Sequence, residues 1–346
     1  MAANKRVYFA CMSVGFAECG TNTFTAAHGL TSIGTSVEVG QTEEYEIGQL
    51  AKYATIEDVP NVTATVEKKL DGYCPVYLLA TKGSPTASLA GRSNAKTTVG
   101  LSIFSDLQDS ASGTPLTQIT MSGMYVNSLG YQFPIQGPYT ESISLIGQNR
   151  VYSNSFSAPA FNNTDEPLAV AGGSGSIQDR PDILMGPTTI ASPTKSLFPI
   201  DIPGITASGT NELSGGRYGA TLQSIRVNSS LNREAMLQQG LRAPFHRYVQ
   251  FPVAVTSEFE IIADENADGI SVAEANEANV TERKIYIMLK DGLRLDLGNK
   301  NKLTNMSMGG ANAAQNGGNM TITYSYRNVN DLSVYHPQDV TTALRP

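Results

Sequence analysis

The sequence predicts an all-β protein built mainly of antiparallel sandwich or barrel sheets, with one or two short helices. Three observations carry that expectation. Apolar residues recur with period two in segment after segment, the pattern of strands buried on one face. Turn-forming residues are abundant, with 32 Gly and 17 Pro in 346 residues. Helical spacing is confined to two short windows.

Taken in order, Val7 to Ala17 reads as a first strand. Lys5 and Arg6 before it give the outline of a secretory leader, but Ser13 and Gly15 interrupt the apolar run and Glu18-Cys19 comes directly after it. At 43–54, Ile47, Leu50 and Ala54 have helical spacing. Val62, Ala64 and Val66 alternate ahead of Asp71-Gly72, a type I′ turn signal that suggests a hairpin of 62–70 with 73–81. Further strands lie at Leu101–Phe104, Ile119–Tyr125 and Glu141–Ile146. Ile225, Val227 and Leu231 alternate again, and Asn232 and Gly240 bracket a second candidate helix at 232–239. Apolar residues from Val249 to Ile261 share one face, and at ~3.3 Å per residue that run reaches roughly 40 Å. Asp291-Gly292 suggests a hairpin of 285–290 with 293–297, and Met320 to Tyr326 closes the series.

From 153 to 220 the alternation gives way to Pro, Gly, Ser and Thr, including Gly172 to Gly175. This stretch divides the chain into a β segment at 1–152, a linker or surface excursion at 153–220, and a β segment at 221–346. The outer segments share an order of elements. Leu101–Phe104, Ile119–Tyr125 and Glu141–Ile146 parallel Ile285–Leu289, Leu293–Leu297 and Met320–Tyr326, and Met121-Ser122-Gly123-Met124 sits at a place comparable to Met306-Ser307-Met308-Gly309. A tandem pair of similar domains is the expectation.

Composition excludes several functions. A net charge of −7 argues against gripping phosphate backbone through clustered Lys and Arg. No stretch approaches the ~18 apolar residues of a membrane-spanning helix, so no membrane partner is expected. Cys11, Cys19 and Cys74 have neither zinc nor disulfide-framework spacing, and read as three buried thiols. His28, His246 and His336 form no ligand pair. There is no GxSxG elbow, phosphate loop or dinucleotide fingerprint. Asp264, Asn266, Asp268 and Gly269 match the first half of a calcium loop, yet the twelfth position holds Ala275 with Glu274 one residue early. Glu258 and Glu260 lie two apart on the polar face of a strand. No catalytic residue, cofactor or metal is expected, and the chain reads as a non-enzyme.

The segment Glu46-Ile47-Gly48-Gln49-Leu50-Ala51-Lys52-Tyr53 through Ile56-Glu57-Asp58-Val59-Pro60, continuing into Val62–Leu70 and Asp71-Gly72-Tyr73, resembles the N-terminal part of the tail tube proteins of long-tailed bacteriophages. Leu222–Glu234, Phe245–Val253 and Thr256–Ile261 resemble the arm and long strand of that family, and Ile285–Asn301 and Met320–Tyr326 its closing strands. The resemblance implies a structural virion subunit whose sandwich domains join edge to edge into rings. Six chains, or three chains each carrying paired domains, would close a ring, and stacked rings would form a tube through which DNA passes without specific binding. Sheath, tape measure, baseplate and tail terminator proteins are the implied partners, with assembly in the host cytoplasm and residence in the virion. Tyr45, Leu50, Tyr53, Phe245, Tyr248 and Phe251 are the candidate contacts between copies, because aromatic anchors dominate interfaces. A tube terminator or baseplate hub of the same fold is the alternative, as is a secreted, calcium-stabilised adhesin or binding module.

Overall fold

Where one face of an alternating segment can be buried, it becomes a strand. The protein is seen here in a computed structural model that describes residues 7, 9–21, 24–83, 85–104, 115–154, 177–184, 188–189, 196–197, 202, 222–241, 243–262, 281–310 and 319–337. The chain is mainly antiparallel β. It begins with β1 (Met12–Glu18), β2 (Thr25–Ala26) and β3 (Leu30–Glu38), then a hairpin of β4 (Gln41–Tyr45) and β5 (Lys52–Glu57), and then β6 (Asn61–Lys69). A short helix, α1 (Val76–Thr81), the one α-helix among the described residues, leads to β7 (Thr86–Ser88), β8 (Thr97–Ile103), the long β9 (Thr117–Pro134), β10 (Thr140–Gly147) and β11 (Asn149–Ser153). Two-residue strands β12 (Thr188–Thr189) and β13 (Ser196–Leu197) pair with each other. The remainder is β14 (Leu222–Ser230), β15 (Arg233–Met236), β16 (His246–Val249), β17 (Ala254–Ile262), β18 (Tyr286–Met288), β19 (Arg294–Asp296), β20 (Lys302–Gly309), β21 (Thr321–Val329) and β22 (Ser333–Tyr335).

Eight strands form one continuous antiparallel sheet in the order β3-β6-β10-β9-β14-β17-β21-β20. Because β9 pairs with β14, segments 1–152 and 221–346 share this sheet. Its inward side chains, among them Val66, Ile143, Tyr131, Val227, Phe259 and Tyr324, belong to one apolar cluster. Two smaller sheets and the helix α1 supply much of the rest of that cluster. One is β2-β1-β8-β9-β11, which uses the first half of β9, and the other is β18-β19-β22-β7.

The large sheet repeats itself. Strands β3-β6-β10-β9 and β14-β17-β21-β20 are the same arrangement, and the repetition extends to irregularities. A bulge lies between Leu30 and Ser32 opposite Lys68 and Glu67, and another between Leu222 and Ser224 opposite Ile261 and Glu260. In each the serine hydroxyl donates to the opposing glutamate, Ser32 to Glu67 at 3.4 Å and Ser224 to Glu260 at 3.0 Å. A second bulge skips Asn127 opposite Ser144 and Leu145, and its counterpart skips Thr304 opposite Ser325 and Tyr326. Bulges fix register, so two at matching places make the blocks equivalent residue by residue. By that equivalence Met306 takes the place of Leu129. The methionine pairs at 121–124 and 306–309 are therefore not counterparts.

Four expectations are corrected. Residues 43–54 form the hairpin β4–β5, not a helix. Its tip has no surface to pack on, and a cross-strand pair of Lys52 Nζ with Glu43 Oε1 at 2.6 Å ties its strands. The expected helix 232–239 is also a hairpin, β15 with β16. Asn232 does not cap it but turns the chain at φ 36°. The run 249–261 is broken at Pro252, which has no N–H to give a ladder, leaving β17 to begin at Ala254. Finally, Asp71-Gly72 does not join a hairpin. The Asp71 carboxylate accepts from Lys68 Nζ at 2.6 Å and from the Tyr73 amide at 3.2 Å, turning the chain into α1. Every residue of α1 is buried, so its sequence shows no helical periodicity. By contrast, Asp291-Gly292 does sit between β18 and β19, with Gly292 at φ 96° and the Asp291 carboxylate accepting from the Leu293 amide at 2.9 Å.

Candidate assembly surfaces

Alternation places Ser, Thr, Asn and Gln on the outward face of the large sheet. One row runs across all eight strands: Ser32, Glu67, Ser142, Gly130, Asn228, Thr256, Arg327 and Lys302. Its neighbour runs Lys69, Thr140, Gln132, Arg226, Glu258, Ser325 and Asn305. Acids and bases balance here, with Glu38, Glu67, Glu258 and Glu260 against Lys69, Arg226, Lys302 and Arg327. Arg226 lies directly across from Glu258, and Glu260 accepts from Ser224. A shallow concavity in this wall is lined by Ser128, Ser142, Asn228, Ser230, Thr256 and Arg327. Such a surface offers hydrogen bonds everywhere and concentrated charge nowhere.

The sheet ends in two open edges. Among the described residues, β3 pairs on one side only, with β6, and β20 only with β21. An edge of eight or nine residues with free backbone donors and acceptors is a template for another strand.

Two hairpins rise from the same rim of the sheet, because β3 and β14 run in the same direction and each leads into one. The first, β4–β5, carries candidates Tyr45, Leu50 and Tyr53, all exposed. Ile47 and Leu50 at its tip are 104% and 103% accessible. The second, β15–β16 with its loop, carries Phe245, Tyr248 and nearby Phe251, also exposed, alongside Leu237 and Leu241. All six candidates from the sequence thus lie on or beside the two hairpins. Sequence reasoning passed over Ile47, Leu237 and Leu241, which alternation alone assigns to no face.

The two hairpins are held differently. Arg233 fastens the second to the sheet. Its guanidinium donates to the carbonyls of Val126 at 2.7 Å, Arg247 at 2.9 Å and Ser93 at 2.7 Å, and it lies 4.8 Å from the Tyr125 ring centroid. Burial pulls its pKa down to about 10. Arg247 adds a 3.3 Å bond to Asn61 on β6. His246 stacks on Tyr248 at 4.1 Å. In the first hairpin Lys52 donates across to Glu43 on the facing strand, and Tyr45 donates to the same carboxylate from its own strand at 2.7 Å.

Buried charge elsewhere serves the fold. Glu141 accepts from the amides of Val76 at 2.6 Å and Tyr77 at 3.1 Å and from the Tyr131 hydroxyl at 2.8 Å, satisfying the start of α1. Burial raises its pKa even so. His28 stacks on Tyr73 at 4.4 Å, and buried His336 lies 4.0 Å from Asp291. Cys11 and Cys74 are buried, but Cys19 is exposed, correcting the expectation of three buried thiols. Among the described residues no cluster of His, Cys, Asp or Glu could hold a metal, and no helix is long and apolar enough to cross a membrane. The half-matched calcium loop at 264–275 and Gly172 to Gly175 lie outside the described residues.

No protein-family model matches the chain, and no curated protein sequence is significantly similar to it. Among solved structures it is similar in part to a chain of the anti-feeding prophage baseplate, at 12% identity and a TM-score of 0.32 over 44% of this chain and 97% of that one. A chain of the anti-feeding prophage tube-terminating cap matches at 12% identity and 0.33 over 45% and 95%. A chain of the sheath–tube complex of an extracellular contractile injection system matches at 12% and 0.32 over 43% and 93%. At such scores the likeness carries no argument, and the functional reading rests on the chain's own geometry.

Proposed function

We propose that this chain is a tail tube subunit, a structural virion protein whose copies join through β3 and β20 into rings that stack into a channel for DNA. One observation supports the reading: an eight-stranded sheet that, among the described residues, has one apolar face covered, one polar face bare and both edges open. Closing that sheet through further copies removes the edges. The bare polar face then lines the lumen, and the apolar-tipped hairpins on one rim reach the adjoining ring.

Barrel geometry supports three copies over six. Three copies of eight strands at ~4.8 Å spacing and a tilt of about 40° close a circle roughly 48 Å across the backbone. Side chains reduce this to about 38 Å, wide enough for a duplex about 20 Å across. Six copies would double the backbone diameter to roughly 95 Å, far beyond what a duplex needs. Three chains, each carrying a first tube domain in 1–152 and a second in 221–346, are therefore the proposed ring. The clearance of about 9 Å is close to the ~8–10 Å Debye length, and acids and bases balance on the wall, so the phosphates meet little net field.

Purified full-length protein imaged by electron microscopy should show rings or hollow tubes. A strictly monomeric species at high concentration refutes the reading. Copy number in the particle separates a tube from a terminator, which would be present as a single ring.

A further inference from the structure

We infer that the β9–β14 joint inside one chain is the residue-by-residue template for the joint between copies, β20 of one copy pairing antiparallel with β3 of the next. The inference rests on the ring reading above, but its register comes from the matched bulges. Through them Ser128 and Gly130 on β9 occupy the places of Asn305 and Ser307 on β20. Likewise Asn228 and Ser230 on β14 occupy the places of Ser36 and Glu38 on β3. Inside the chain Gly130 faces Asn228 and Ser128 faces Ser230. Carried over, Ser307 of one copy faces Ser36 of the next, and Asn305 faces Glu38.

Three features of the edges agree with an antiparallel joint that keeps the polar residues on the outward face. Every neighbouring pair in the sheet is antiparallel and the strands number eight, so β20 against β3 continues the alternation of direction around a ring. The polar residues meet on the outward face. On the inward face Met306 meets Val37 and Met308 meets Thr35, and Met306 and Val37 are half-buried side chains at the border of the core that need one more neighbour. A slip of one residue would turn the methionines outward, so the competing registers are slips of two or four.

Disulfide trapping tests the pairing. In a Cys19→Ser background, which removes the exposed thiol and leaves Cys11 and Cys74 buried, Ser36→Cys with Ser307→Cys places thiols on two exposed positions directly opposite each other. After mild oxidation, a non-reducing gel should show a ladder that ends at three linked chains. Yield should be roughly tenfold above that of Ser307→Cys combined with Glu38→Cys or Ser32→Cys, whose Cα separations exceed the ~7 Å a disulfide spans. Each sample is imaged in parallel. Rings that link through a slipped pair, or that link through none, overturn the register while leaving the ring reading intact. Absence of rings in the Cys19→Ser background itself brings down both.

Discussion

Replacing Ile47 and Leu50 together by serine separates assembly from folding. Both side chains are wholly exposed at the tip of β4–β5, so neither contributes to the core. Covering each against another copy is worth about 2 kcal/mol, or about 4 kcal/mol per copy for the pair. Three copies per ring-to-ring contact bring the sum to about 12 kcal/mol, comparable with the ~4–15 kcal/mol that association costs. Without it stacking no longer gains, and at ~1.4 kcal/mol per decade the concentration needed for tubes rises about a thousandfold per copy's share. Sedimentation and negative-stain imaging should find short rings or single copies where the parent protein gives tubes. Differential scanning calorimetry should find Tm within about 2 °C of the parent, because surface changes seldom exceed ~0.5 kcal/mol. Tubes of normal length, or a Tm lowered by more than about 5 °C, would refute the reasoning.

The same geometry carries further expectations. Phe245→Asp introduces charge on an exposed side chain of the second hairpin, and should block assembly while circular dichroism and Tm stay unchanged. Glu141→Ala strands the Val76 and Tyr77 amides and the Tyr131 hydroxyl in the core; at ~1–3 kcal/mol for each unpaired group, urea unfolding should register a loss of about 4 kcal/mol, with a smaller loss for Glu141→Gln. Arg233→Ala removes the fastening of the second hairpin, so amide exchange across β15 and β16 should accelerate roughly tenfold or more, while amides of β17 keep their protection. For pH, burial raises Asp291 to about 6 and lowers His336 to about 4. From about pH 4 to 6 the folded state holds the extra proton at Asp291, so stability falls as pH rises. At His336 the unfolded state holds it up to about 6.5, so stability rises with pH. The two slopes oppose, and Asp291→Asn should expose the histidine's alone, a decline of about 3 kcal/mol as pH drops from about 6.5 to about 4. An unchanged pH profile in that variant would count against the assignment.

Strand identity was legible wherever one face is buried and the other wet, as in Val62, Ala64 and Val66 or in Phe259 and Ile261. It failed where that contrast is missing. The first hairpin is exposed on both faces, so Ile47, Leu50 and Ala54 offered helical spacing that nothing in the fold uses. Helix α1 is buried all round, which hides its period. Pro252 inside an otherwise regular run was the signal that the long strand breaks. Asp71 shows that an Asp-Gly pair sets a turn but leaves the next element open, a helix after Gly72 and a strand after Gly292. The repeated order of elements could be read in outline, but the bulges at 30–32, 127, 222–224 and 304 that fix residue equivalence leave no mark in the sequence, because a bulge is a property of pairing. For the candidate contacts, aromatic identity at Tyr45, Tyr53, Phe245 and Tyr248 could be read from the chain, whereas their exposure could not.

The most direct measurement is the rotational symmetry of the assembled ring by cryo-electron microscopy. The account predicts threefold rings in which about twenty-four antiparallel strands enclose a polar lumen of about 38 Å. A ring of six chains, or a lumen walled by anything other than the Ser- and Thr-rich face of the large sheet, would contradict it.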